Sequence, residues 1–172
     1  MKLNMGSRQI KKALLKAMET VFGNDLKRIE HAKKVTGYAE IIQESEGGDY
    51  PIIVGAAILH DIGIHEAERK YRNSGGKYQE IEGPPIARGI LTELGFDRDQ
   101  TEEICEIIAH HHSPGKIHST NYKVLYDADW LVNLADEYDI TDNKKLSKII
   151  DKVFLTPTGK NIAREIYLKP LG

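Results

Sequence analysis

The sequence predicts an all-α protein, and three observations carry that prediction. Glycine and proline turn signals divide the 172 residues into segments of helical length. Within those segments apolar residues recur at steps of three and four. No stretch has the sustained period-two alternation of a half-buried strand. A chain of this length buries enough apolar area to fold as one domain, and it contains no internal repeat, low-complexity segment or domain-scale linker.

A first helix is expected after a Ser7 cap, with Ile10, Leu14, Met18 and Val21 on its apolar face and Gly23 at its end. A second begins after Asn24 or Asp25 and runs to Gly47-Gly48, aligning Arg28, His31, Val35, Tyr38 and Ile42 along one side. The segment Pro51 to Leu59 is apolar all round, which predicts a helix through the middle of a bundle, running straight into His60 and Asp61. Residues Gly63 to Gly83, rich in Gly, Lys, Tyr and Glu, read as a long functional loop. Pro84-Pro85 then opens a helix that ends at Gly95. Asp97 or Asp99 caps the next, which reaches His110-His111-His112 and stops at Ser113-Pro114-Gly115. A long helix over roughly Tyr122 to Asp139 and two shorter ones, about Lys144 to Phe154 and Gly159 to Leu168, complete the chain.

Composition narrows the function classes. With 24 Lys and Arg against 26 Asp and Glu, the chain has no charge excess to suggest a general nucleic-acid or membrane-binding surface, so any phosphate recognition must be local. The longest apolar run, Pro51 to Leu59, falls far short of the roughly 20 residues that span a bilayer. The lysine-bearing stretch Met1 to Met18 lacks the apolar core and cleavage site of a signal peptide. A single cysteine, Cys105, cannot form an internal disulfide. Together these predict a soluble cytoplasmic protein; the oligomeric state is not legible.

The chemistry concentrates at His60 and Asp61, an imidazole and a carboxylate at the end of the most apolar segment. Buried charges need a partner or a metal. Neighbouring helical residues point about 100° apart, so the two cannot share one environment unless a ligand lies at the side of the helix. A hydrogen-bonded pair at a helix end is the competing reading of the dipeptide alone. Further imidazoles on inward faces, His31 on the second helix and His111 among Ile104, Ile107 and Ile108, shift the balance towards a metal.

This ordered set resembles the HD superfamily of metal-dependent phosphohydrolases, in which a histidine, an adjacent His-Asp and a distant aspartate follow one another. Here they are His31, His60-Asp61 and Asp129, and the extended form His60-Asp61-Ile62-Gly63 is also present. The resemblance covers roughly Leu26 to Asp139 and implies a helical bundle of the HD-domain type over 1–172, with a core near 25–140 and short flanking helices. Asp127 and Asp129 lie about 200° apart on one helix. The family places its ligand in an Ala-Asp step flanked by apolar residues, which selects Asp129 through Val124, Leu125, Leu131, Val132 and Leu134 and leaves Asp127 a supporting or surface role. Members that look binuclear add histidines after the loop and at the end of the next helix. His110 and His111 match the second group, while Glu82 stands where the first histidine is usual. His112 is left as an exposed or supporting residue, and His65 and His118 have no assigned role.

Several branches and motifs are excluded. Ser113-Pro114-Gly115 replaces the Gly-Tyr-Pro of cyclic-dinucleotide hydrolases, and Ile64-His65 replaces the Glu-Asp of guanosine-tetraphosphate hydrolases. Ser74-Gly75-Gly76-Lys77 lacks the hydroxyl and preceding strand of a phosphate loop, and Asp127-Ala128-Asp129 has Val132 where a calcium loop needs glycine.

The resemblance implies one or two divalent ions (Mn, Fe, Mg, Co, Ni and Zn all compatible) and a metal-activated water attacking a nucleotide or other small phosphomonoester. Asp61 and Arg28 are the expected catalytic residues, with Arg28 one turn before His31 as the first phosphate-binding cation and Lys70, Arg72 and Lys77 as further ones. A di-iron oxygenase of the same scaffold and a non-catalytic nucleotide-binding module are the alternatives.

Overall fold

The structure is a computed structural model that describes residues 5–170; residues 1–4, where the lysine-bearing N-terminal stretch begins, and 171–172 lie outside the described residues. Nine helices and no strand are found among the described residues. They are α1 (Ser7–Phe22), α2 (Leu26–Glu46), α3 (Tyr50–Leu59), α4 (Ile64–Tyr71), α5 (Gly76–Glu93), α6 (Arg98–Ala109), α7 (Thr120–Glu137), α8 (Asn143–Val153) and α9 (Pro157–Tyr167). The chain is all-α, as its periodicity predicts.

Local sequence starts most of these helices. Asp25, Asp49, Asp97, Ser119, Asp142 and Thr156 each accept a backbone N–H in the first turn that follows, satisfying donors a helix start leaves orphaned. At Asp97 the Gln100 side chain reaches back to complete a capping box, which decides between Asp97 and Asp99. Ser7 is the first helical residue rather than the cap, a position held by Gly6. Phe22 rather than Val21 closes the buried stripe Ile10, Leu14, Met18, because steps of four keep to one face while Val21 is 36% exposed. Apart from the start of α5 and the end of α6, which stops at Ala109 short of the histidine triplet, the remaining helix ends differ from expectation by about two residues or fewer.

Helix α3 lies at the centre, packed by α1, α2, α6 and α7, and every residue from Ile52 to Leu59 is buried. α2 lies along α7, and α5 pairs with α6. This arrangement brings the C-terminal end of α3, the first half of α2 and the middle of α7 to one place.

The segment expected as a long loop is mostly helical. α4 and the first turns of α5 occupy it, leaving only 72–75 as an irregular connection. Its glycines serve packing: a Cβ on Gly63 would lie 2.5 Å from the Gly83 backbone nitrogen, and one on Gly83 would lie 2.8 Å from Ile108 Cγ2. Pro84 and Pro85 sit inside α5 rather than at its start. Neither ring has an N–H for the carbonyl four residues earlier.

Candidate metal centre

Four side-chain atoms, from α2, α7 and the turn His60-Asp61 that follows α3, converge at the end of α3. His31 Nε2 lies 3.3 Å from His60 Nε2, 3.3 Å from Asp61 Oδ2 and 3.1 Å from Asp129 Oδ1. His60 Nε2 is 3.4 Å from Asp61 Oδ2 and 3.3 Å from Asp129 Oδ1. His60 is fully buried, and Asp61 and Asp129 are each 7% exposed. His60 Nδ1 donates to Ala57 O at 2.7 Å, which fixes the tautomer and leaves the neutral ring's lone pair at Nε2.

Lone pairs and carboxylate oxygens facing one another repel unless a proton or a cation lies among them. Donors at the corners of a tetrahedron with edges of ~3.3 Å lie ~2.0 Å from its centre, the distance at which imidazole and carboxylate bind divalent transition metals. The residues therefore fit a divalent ion. Without one, protonation of His60 takes its place. Burial pushes the His60 pKa down, but the Asp61 and Asp129 carboxylates more than reverse this and hold it well above its ordinary value. Burial raises Asp61 and Asp129 as well, yet the facing imidazoles hold both below the usual carboxylate range.

A second cluster adjoins the first through the other oxygen of Asp61. Oδ1 lies 3.5 Å from His111 Nε2, and one ligand atom each from Asp61, His111 and His112 all fall within 4.8 Å of one another. His111 is buried, with Nδ1 donating to Ile108 O at 2.6 Å, the same device that orients His60. The helix unwinds at His110, whose backbone leaves the helical region at φ −129°, ψ 13°. His110 accordingly turns away: its Nδ1 is at Glu106 O, 2.9 Å, outside both clusters, and His112 stands in the place expected for it. Glu82 is also outside both. Its buried carboxylate accepts from Lys70 Nζ at 3.0 Å and Tyr71 OH at 2.9 Å. The side chain that does meet the second cluster from α5 is Gln79, whose Oε1 is 2.8 Å from His112 Nε2 and 3.3 Å from His111 Nε2.

The expected cations lie in different settings. Arg28 is half-buried one turn from His31 and makes no ion pair among the described residues. Lys70 is engaged with Glu82 and Glu66. Arg72, in the left-handed C-cap of α4 at φ 53°, and Lys77 are exposed. Asp127 is buried on the far side of α7 from Asp129, where it accepts from Leu155 N, Thr156 N and Thr156 Oγ1 at 2.7–2.8 Å. His65 pairs with Asp25 at 2.8 Å and stacks edge-on against Phe22.

A cavity of about 170 Å³ opens beside the ligands, lined by His111, His112, Tyr126, Asp129, Trp130, Asn133 and Glu137. Asn133 Nδ2 donates to Asp129 Oδ1 at 2.9 Å. Its spacing of four from Asp129 is a signal that could have found it. Gln79 carries no such signal, because its role depends on how α5 packs on α6.

The chain belongs to the HD domain family, whose model matches residues 28–153, and members of this superfamily are metal-dependent phosphohydrolases that bind divalent metals. Among solved structures, it is similar to the crystal structure of a predicted HD superfamily hydrolase from an uncultured Thermotogales bacterium, at 25% identity and a TM-score of 0.65, over 93% of this chain and 84% of that one. A search of curated proteins returned no match. No helix among the described residues is long and apolar enough to cross a membrane.

Proposed function

We propose that the protein hydrolyses small phosphomonoesters, nucleotides among them, with His31, His60, Asp61 and Asp129 holding the essential divalent ion. The observation that carries this reading is the convergence of those four donors, with both imidazoles 3.1–3.4 Å from each other and from each carboxylate. An ion bound there supplies a water with a pKa lowered to about 7 and positive charge for a phosphoryl oxygen. Ala57 and Ile108 hold the imidazoles of His60 and His111, Asn133 holds Asp129, and Asp61 reaches both clusters. Arg28 binds the phosphate.

The cavity supports a small substrate. Its volume of about 170 Å³ lies below the roughly 300–1,000 Å³ of sites for drug-sized ligands. Tyr126 and Trp130 give it an aromatic wall, with ring centroids 6.5 Å apart. Its lining includes the Glu137 carboxylate and no Lys or Arg, so the phosphate belongs at the ions and Arg28 while the remainder of the substrate occupies the cavity.

The test is metal content of protein purified without chelator, with phosphate release assayed across nucleotides and other phosphomonoesters. Bound transition metal lost in Asp61→Ala, together with metal-dependent phosphate release, supports the proposal. Stoichiometric iron with oxygen-dependent turnover and no phosphate release would replace it with an oxygenase. Tight nucleotide binding without turnover in metal-loaded protein would replace it with a sensing module.

A further inference from the structure

Resting on the metal-dependent reading above, we infer that the Gln79 side-chain oxygen is the fourth donor of the second cluster and makes it a weaker site, less biased against hard divalent ions, beside a tight first site. Gln79 Nε2 donates to Ser74 O at 2.6 Å. That bond orients the amide and turns its oxygen towards His111 and His112.

The hydrogens then place acceptors against acceptors. His111 Nδ1 carries the proton given to Ile108 O, so its Nε2 presents a lone pair. That lone pair faces Gln79 Oε1 at 3.3 Å and Asp61 Oδ1 at 3.5 Å. His112 Nε2, 2.8 Å from the amide oxygen, either donates to it or turns a lone pair inward with the others. Three acceptors, Gln79 Oε1 from α5, His111 Nε2 from the turn after α6 and Asp61 Oδ1 from the turn after α3, thus converge with His112 Nε2 as the one nearby group able to donate to any of them, an arrangement that a cation satisfies.

The donor types set the preference. The first cluster offers two imidazoles and two carboxylates, a set suited to zinc, iron, cobalt and nickel. The second keeps two imidazoles but replaces one carboxylate with a neutral amide oxygen, which contributes no charge and shifts the set from zinc towards manganese relative to the first. It is also more open, since His112 is exposed and His31, the most accessible first-cluster ligand, is half-buried. The second ion therefore binds after the first and exchanges more readily.

The test is Mn²⁺ binding to the chelator-stripped full-length protein, counted by metal analysis after equilibrium dialysis, with magnetic coupling between two Mn²⁺ ions as an independent signature. Wild type should show two classes of site, the second weaker by on the order of tenfold or more. Gln79→Ala should weaken the second class by a further tenfold or so while leaving the first in place. Gln79→Glu, which keeps the oxygen and adds charge, should tighten it, and Gln79→His should raise its Zn²⁺ over Mn²⁺ preference above that of wild type. Two equal sites in wild type, a second class unmoved in all three variants, or no second ion even in Gln79→His would overturn the inference. Loss of the first class from wild type would instead overturn the proposed function.

Discussion

Asn133 donates Nδ2–H to Asp129 Oδ1 at 2.9 Å, one turn further along α7. The same oxygen faces His31 and His60, so the amide determines how the Asp129 carboxylate is presented to an ion. Replacing Asn133 with Leu removes that restraint without altering the ligand set. The expected outcome is a loss of metal affinity of about 10- to 100-fold, the range for groups that support a ligand from behind, with unfolding free energy changed by less than ~1 kcal/mol because Asn133 is half-buried at a cavity wall. Metal titration and thermal unfolding of the same variant check both parts.

Asp127 and Asp129 should separate into a structural and a metal-binding residue. Asp127 accepts three hydrogen bonds from Leu155 and Thr156, and Gly159 packs so close that a Cβ there would lie 2.3 Å from Asp127 Oδ2. It therefore anchors the α8–α9 turn to α7. Asp127→Asn puts an amide NH2 against N–H or O–H donors and should cost about 1–3 kcal/mol while retaining metal. Asp129→Asn should lose metal. Denaturant melts and metal analysis on the two variants give opposite patterns, and metal loss in Asp127→Asn with no change in stability would reverse the assignment.

These two aspartates also illustrate how far the sequence could be read. Helix starts were legible because caps such as Asp25 and Asp97 act within one turn. His31 stood out as a polar residue on an inward helix face and His60-Asp61 as an imidazole and a carboxylate ending the most apolar segment, whereas Asp129 was chosen over Asp127 only through the family resemblance. The region 63–83 was misread as a loop because Gly63 is required by close approach of the α5 backbone and Gly83 by the Ile108 side chain on α6, tertiary contacts that composition does not reveal. Among His110, His111 and His112, direction cannot be inferred from 3.6-residue periodicity, since the helix unwinds at His110. Gln79 reaches the cluster, in place of Glu82, only through the packing of α5 against α6.

Glu82 offers a test of that difference. Its carboxylate is 9% exposed, while the Lys70 side chain that pairs with it is 44% exposed, so the pair is desolvated on one side only. Lys70→Met leaves Glu82 buried with Tyr71 OH as its remaining partner and should lower the unfolding midpoint, because the carboxylate loses its cation. Metal stoichiometry should be unchanged in Lys70→Met and in Glu82→Gln alike. A lost ion in Glu82→Gln would place that carboxylate in the metal centre after all.

The protonation state of the centre links metal binding to pH. In the metal-free protein the Asp61 and Asp129 carboxylates hold His60 well above its ordinary pKa, after opposing burial is overcome. A raised histidine stabilises the fold below its unfolded value, near 6.5, and that contribution is lost as pH rises through the folded value. Asp61 and Asp129 are lowered, with burial again opposing the facing imidazoles. Their contribution is present above the ordinary carboxylate value, about 4, and is lost as pH falls through the folded one. The metal-free protein should therefore be most stable between about pH 4 and 6.5 with respect to these groups. A divalent ion displaces the His60 proton and takes over its electrostatic role, so binding releases protons and strengthens as pH rises. Thermal unfolding with and without Mn²⁺ should show a larger metal-induced rise in Tm at pH 8 than at pH 6. The His60→Gln variant should lose most of that pH dependence, and an equal rise at both pH values in wild type would mean that the ion does not compete with a proton on His60.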